Sequence, residues 1–192
     1  MEKTRTSVVI AYRHADERLL KCLQAIEANN PDEIMALSGN LHYQDVQRGL
    51  ENASGDIILF TDSDTYVPPD WISRHLKHYP EADMVLGWTA YNLPSLALRN
   101  FSAKRAFLLR YGFRSKRWKE NFDTDLGLRL MEAKPKFVVD RSIRVIHDHP
   151  GGDRFGLRMK RKLRVGMMML HRGYLPSLAD ISYFLQTPLE EL

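Results

Sequence analysis

An α/β domain, layered around a mainly parallel sheet, is what this sequence predicts. Three observations predict it. Short apolar runs alternate with longer segments whose apolar residues recur at helical spacing. Turn-forming clusters such as Ser38-Gly39-Asn40 and Ser54-Gly55-Asp56 separate the two kinds of segment. The run Ile57-Ile58-Leu59-Phe60 leads into Asp62-Ser63-Asp64, and ligands of open α/β sheets bind at the carboxyl ends of strands.

Taken in order, Ser7 to Ala11 reads as the first buried strand. The helix predicted from Asp16 to Asn29 carries Leu19, Leu20, Leu23 and Ile26 on one face. Asp16 and Glu17 suit its start, and Asn29-Asn30-Pro31 stops it. A second strand is predicted over Glu33 to Leu37 and a helix over Tyr43 to Asn52. The strand Ile57 to Thr61 then delivers the paired acids. Pro68-Pro69-Asp70-Trp71 opens a helix that runs to about Tyr79, since proline suits a first turn. Met84 to Trp88 reads as a strand, Pro94 to Tyr111 as a helix, and Asp123 to Ala133 as a helix with an acidic first turn. Lys136 to Val139 and Ile143 to Ile146 are predicted short strands. Phe155 to Arg172 reads as a basic helix, with a last short one from Leu178 to Leu185. The long stretch 90–135 is where acceptor recognition is expected.

At 192 residues, 44% of them hydrophobic, the chain is long enough for one domain with a real core. We divide it into a domain over 1–150 and a basic helical segment over 151–192. Cys22 is the only cysteine, which excludes an internal disulfide and fits a reducing, cytoplasmic setting. Val8-Val9-Ile10-Ala11 is far shorter than a secretory apolar region. No apolar run reaches the roughly 18 residues that span a bilayer, so the expectation is a soluble chain or one held at a membrane surface. The net charge of +4 is concentrated in two clusters, one from Arg110 to Lys119 and one from Arg154 to Arg164. These favour anionic partners or form wet helix faces. Lys160, Arg161, Lys162 and Arg164 precede Val165, Met167, Met168 and Met169, a pattern that suits either an anionic membrane surface or a helix packed on the domain. Nucleic acid is not an expected partner, because aromatic and basic residues do not interleave.

Two carboxylates at a strand end suit Mg²⁺ or Mn²⁺, and those ions bind through one or two carboxylates plus substrate phosphates. Asp62 and Asp64 are therefore candidate metal ligands, the alternative being a polar turn before the Pro68 helix. His147, in His147-Asp148-His149, fits a structural hydrogen bonder after a strand. Tyr12 and Arg13, after the first strand, suit a nucleotide base and a phosphate, while Tyr12 also fits core-edge packing. Trp88 suits stacking on a ligand ring or burial in the core.

Several stretches together resemble the inverting glycosyltransferases of family 2, which have the GT-A, Rossmann-like fold. Thr6 to Arg13 resembles that family's opening strand, and Leu19 to Ile26 the helix after it. Ala53-Ser54-Gly55-Asp56 through Asp62-Ser63-Asp64 resembles the strand with the DXD motif, and Pro68 to Ile72 the helix beyond. Phe122 to Leu130 resembles the acidic motif of the late helix, and Val145-Ile146-His147 the strand and histidine that follow.

The resemblance implies a metal-dependent enzyme with a nucleotide-sugar donor and a glycan, polysaccharide or lipid-linked acceptor. It implies Asp64 as direct metal ligand, Asp62 nearer the ribose and the metal, and Ala11, Tyr12, Arg13, Ser63 and Trp88 around the donor. For His147 it implies a third metal ligand instead of the structural hydrogen bonder. It implies Asp123 as general base, with Asp125 beside it able to raise its pKa by like-charge repulsion, while an Asp at a helix start also fits an N-cap. The sequence also departs from the family. Ala36-Leu37-Ser38-Gly39 stands where many members carry an acid, Val46 where many carry an arginine, and Phe122 where a glutamate is common. An inactive binding scaffold and a nucleotidyltransferase remain the alternatives. The latter usually shows a Gly-rich loop after the first strand, where this chain has Ala11-Tyr12-Arg13-His14-Ala15.

Overall fold

Strand β1 (Thr6–Tyr12) sits inside a sheet of six strands in the order β2-β1-β3-β6-β5-β7. The others are β2 (Glu33–Ser38), β3 (Ile57–Asp62), β5 (Met84–Trp88), β6 (Phe101–Lys104) and β7 (Phe137–Arg144). This computed structural model describes residues 3–39, 42–88, 98–113, 122, 125–126, 129–130 and 133–148. β2, β1 and β3 run parallel, as do β5 and β7, and β6 lies antiparallel between β3 and β5. The mainly parallel sheet flanked by helices is the expected fold.

Alternation along the strands explains the two-sided core, because successive side chains leave a strand on opposite faces. Val9 and Ala11 of β1 join Ile58 and Phe60 of β3 on one face. Val8 and Ile10 join Ile57 and Leu59 on the other. Helices α2 (His42–Asn52) and α4 (Arg105–Tyr111) cover the first face through Val46, Leu50 and Leu108, aided by the helical residues Phe122, Leu126 and Leu130. Helices α1 (Glu17–Glu27) and α3 (Trp71–Leu76) cover the second, with Leu19, Cys22, Ile26, Trp71 and Ile72 buried. Asp16 caps α1 by accepting from the backbone N–H groups of Arg18 and Leu19 at 3.1 and 3.2 Å.

Two expectations are corrected. The stretch from Pro94 to Tyr111 is not one helix: within its described part a 3-10 turn (Leu98–Asn100) leads into β6, and only then into α4. Phe101, Ser102 and Ala103 each pair with both β3 and β5, and a sheet slot with partners on two sides overrides the helical preference of the flanking residues. The two short strands predicted around 136–146 are instead one long strand, β7, followed by β8 (Ile146–His147). The polar Asp140-Arg141-Ser142, which read as a break, lies in a bulge: Gly87 pairs with Asp140, but its neighbour Trp88 pairs with Arg144. The helix predicted from Pro68 is shorter, and its regular part begins at Trp71.

β8 pairs antiparallel with the two-residue β4 (Thr65–Tyr66), setting His147 against Thr65. The basic helix of 155–172, the tail helix and the whole 151–192 segment lie outside the described residues. Among the described residues no helix is long and apolar enough to cross a membrane.

Candidate active site

Asp62 is the last residue of β3, and Asp64 follows after the turn at Ser63. The β4–β8 pair folds His147 back onto that turn. Its Nε2 lies 3.2 Å from Asp64 Oδ1, and the Asp148 backbone N–H donates to the Asp64 carbonyl at 2.8 Å. One ligand atom each from Asp62, Asp64 and His147 falls within 4.8 Å of the others. All three side chains are partly open to solvent, at 28%, 22% and 10%. Two carboxylates and an imidazole so grouped fit a hard divalent cation such as Mn²⁺ or Mg²⁺. Burial pushes the Asp64 carboxyl up, but the hydrogen bond from His147 and the positive charge of nearby Arg99 hold it below its ordinary value. Asp64 is therefore charged and ready to ligate at neutral pH.

Cys22 donates its thiol proton to the Asp62 carbonyl at 3.4 Å, and burial pushes that thiol up to about 12. It is a packing and positioning group with no nucleophilic character at neutral pH. Ala11 stands in register with Asp62, so the end of β1 flanks the acid pair. Tyr12 is half-buried against the α1 face of the core, and Arg13 is exposed just beyond. Arg18 and Lys21, on the same helix, both feel the charge of Asp148, whose carboxylate accepts from the Tyr66 hydroxyl at 2.9 Å. Trp88 ends β5, and the Arg141 guanidinium sits 5.0 Å above its ring as a cation–π partner.

The candidate base Asp123 and the neighbouring Thr124 lie outside the described residues, as does His149. Asp125 is buried and accepts from Arg129 Nε at 3.0 Å. Arg129 also donates to the carbonyls of Tyr111 and Gly112, so this pair fastens the late helical segment to the end of α4.

Arg99 was not anticipated from the sequence. Its Nε lies 3.3 Å from Asp62 Oδ2, and its Nη1 donates to His147 Nδ1 at 3.3 Å. The guanidinium thus bridges two of the three candidate ligands. The signal that would have found it is the pairing of β6 with β3. Phe60 faces Phe101, and two further steps of that antiparallel register set Asp62 opposite Arg99. Its neighbour Asn100 is buried and locked. The Asn100 Oδ1 accepts from Trp71 Nε1 and from His75 Nε2, while Nδ2 donates to the carbonyls of Trp88 and Ile143. Arg99 is therefore presented from a fixed backbone.

A family model described as Glycosyl transferase family 2 matches residues 33–133. The match contains the acid pair and ends short of His147. Among solved structures, glucosyl-3-phosphoglycerate synthase from Mycobacterium tuberculosis, crystallised with Mn²⁺, uridine diphosphate and phosphoglyceric acid, is 15% identical with a TM-score of 0.71. The alignment covers 91% of this chain and 80% of that one. A mannosyltransferase from Pyrobaculum calidifontis, in complex with GDP-Man and Mn²⁺, is 12% identical with a TM-score of 0.72, covering 92% of this chain and 66% of that one. Identities this low speak for a shared fold. No curated protein matches significantly.

Proposed function

Because this chain belongs to glycosyltransferase family 2, we propose that it moves a sugar from a nucleotide-sugar donor to a hydroxyl of a glycan, polysaccharide or lipid-linked acceptor, with inversion at the anomeric carbon. The observation that carries this reading is the convergence of Asp62, Asp64 and His147 at the carboxyl end of β3. In this reading those three residues hold a divalent cation. Such an ion supplies charge stabilisation to the departing diphosphate. Ala11, Tyr12 and Arg13 line the donor side, with Ser63 in the turn between the acids and Trp88 toward the sugar. The Mn²⁺, nucleotide and nucleotide-sugar of the two solved relatives support this assignment by fold likeness.

Asp123 is assigned as the base that takes the acceptor proton, from its place in the acidic motif that opens the late helix. Asp125 supports it by fixing that segment through Arg129. The lone buried thiol of Cys22 suits a cytoplasmic setting, and a lipid-linked acceptor would draw the protein to an anionic membrane face.

The test is release of nucleoside diphosphate from a panel of UDP-, GDP- and dTDP-sugars with Mn²⁺. One donor should turn over, EDTA should stop it, and Asp64→Asn should lower it by about 100-fold, the scale expected when a metal site loses an essential partner. Asp123→Asn should abolish transfer while leaving Mn²⁺ binding intact. Donor turnover insensitive to EDTA overturns the metal assignment. Metal-independent nucleotide binding without turnover would make the chain a scaffold.

A further inference from the structure

We propose that Arg99 makes metal binding conditional on a diphosphate: it holds the cation's place between Asp62 and His147 and yields it only when a second anion can receive its charge. The inference rests on the reading of Asp62, Asp64 and His147 as a metal site, and adds a residue which that reading leaves without a role.

Charge is the first ground. Asp62 and Asp64 bring two negative charges within a few ångströms. Arg99 already cancels one of them through its contact with Asp62. A free divalent ion approaching the group meets a guanidinium beside two of its three ligands, and that repulsion lowers its affinity. An arriving diphosphate reverses the sign, since guanidinium forks match phosphate oxygens well.

The second ground is the proton on His147. An arginine only donates, so the Nδ1 that receives Arg99 Nη1 carries no proton. Asp64 only accepts, so the Nε2 beside it carries the proton. In this arrangement neither nitrogen is open to a cation. Ligation through Nε2 moves the proton to Nδ1, where it faces an Arg99 N–H, donor against donor. Ligation through Nδ1 takes the position Arg99 now fills. By either route the guanidinium leaves His147. The backbone cannot follow, because Asn100 is pinned by its four hydrogen bonds and Phe101 is paired on both sides. Only the Arg99 side chain swings, and it needs a new anion within its own reach.

The measurement is Mn²⁺ binding by electron paramagnetic resonance, with and without uridine or guanosine diphosphate, on the full chain. Wild type should bind Mn²⁺ alone weakly and about tenfold or more tighter with the preferred diphosphate, within the range usual for coupling between two ligands. Arg99→Met should bind Mn²⁺ alone about fivefold tighter, and the gain from diphosphate should shrink toward unity. Arg99→Lys, which keeps a point charge, should retain most of the coupling. Thermal melts show whether each variant is folded. If wild type shows the coupling and folded Arg99→Met keeps both the same Mn²⁺ affinity and the same gain, Arg99 is only a structural ion pair and the proposal falls alone. If wild type binds no Mn²⁺ under any of these conditions, the metal site itself is wrong and both readings fall.

Discussion

His75 is fully buried between α3 and β6, with Ser102 Oγ 2.8 Å from Nδ1 and Asn100 Oδ1 3.2 Å from Nε2. Asn100 Oδ1 accepts the Nε2 proton, so Ser102 donates to Nδ1, and Tyr79 in turn donates to Ser102 at 3.0 Å. The ring is neutral, and burial lowers its pKa from 6.5 to about 4. The sign of the pH effect follows. Between those values the unfolded chain takes up a proton that the folded chain refuses, so stability falls as the pH drops from 6.5 toward 4. The full loss is about 3 kcal/mol. Carboxylates held low in the fold lose their contribution only below their ordinary values, 3.8 for Asp64 and Asp83 and 4.5 for Glu33, so the window above 4.5 belongs to His75. Urea unfolding at several pH values should show that slope, and His75→Gln should flatten it. Arg129 is the second test at this scale. Arg129→Met takes one charged partner from the buried carboxylate of Asp125 and one donor from each of two backbone carbonyls, at a cost of about 2–3 kcal/mol. Asp125→Asn should cost far less. If instead it abolishes transfer with the fold intact, Asp125 acts in the chemistry as well.

Gly87 shows how one element constrains the next. A Cβ there would lie 2.2 Å from Asn100 Nδ2 and 2.4 Å from Cγ, and Asn100 has no room to retreat from its hydrogen bonds. Gly87→Ala should therefore cost about 2–3 kcal/mol, read in the same urea unfolding. It should also disturb Arg99 next door, visible as altered Mn²⁺ coupling. Elements differed in how far their sequence betrayed them. β3 was plain, because four apolar residues run unbroken from a turn into the acids, and burial on both faces needs nothing else. His147 was found through the order of motifs, while its contact with Asp64 depends on a two-residue pairing too short to leave a pattern. β6 was hidden for a related reason. Its four residues are flanked by arginines and leucines that suit a helix, and its strand character comes wholly from β3 and β5 on either side. Arg99 was lost with it. The β7 bulge was misread because its polar residues look like a loop when their partner strand is out of view.

For the molecule as a whole, ligand and fold are linked. Anything that binds only the folded chain stabilises it by mass action, about 2.7 kcal/mol at a hundred times the dissociation constant. In a chain of this length that is a rise in melting temperature of about 5–10 °C. Mn²⁺ with the preferred nucleoside diphosphate should give such a rise in wild type, and neither should give it with Asp64→Asn. The reversed strand β6 also fixes where the ends of chain segments come together. Because β6 runs against its neighbours, it starts at the edge where β3 and β5 finish, and Asn100 ties that start to the Trp88 carbonyl. Trp88 and Asn100 are thus two posts tied together at the edge where β3 delivers the acid pair. Replacing the sequence between those posts, positions 89–97, should therefore leave Mn²⁺ affinity unchanged, because Trp88 and Asn100 are held by contacts outside it.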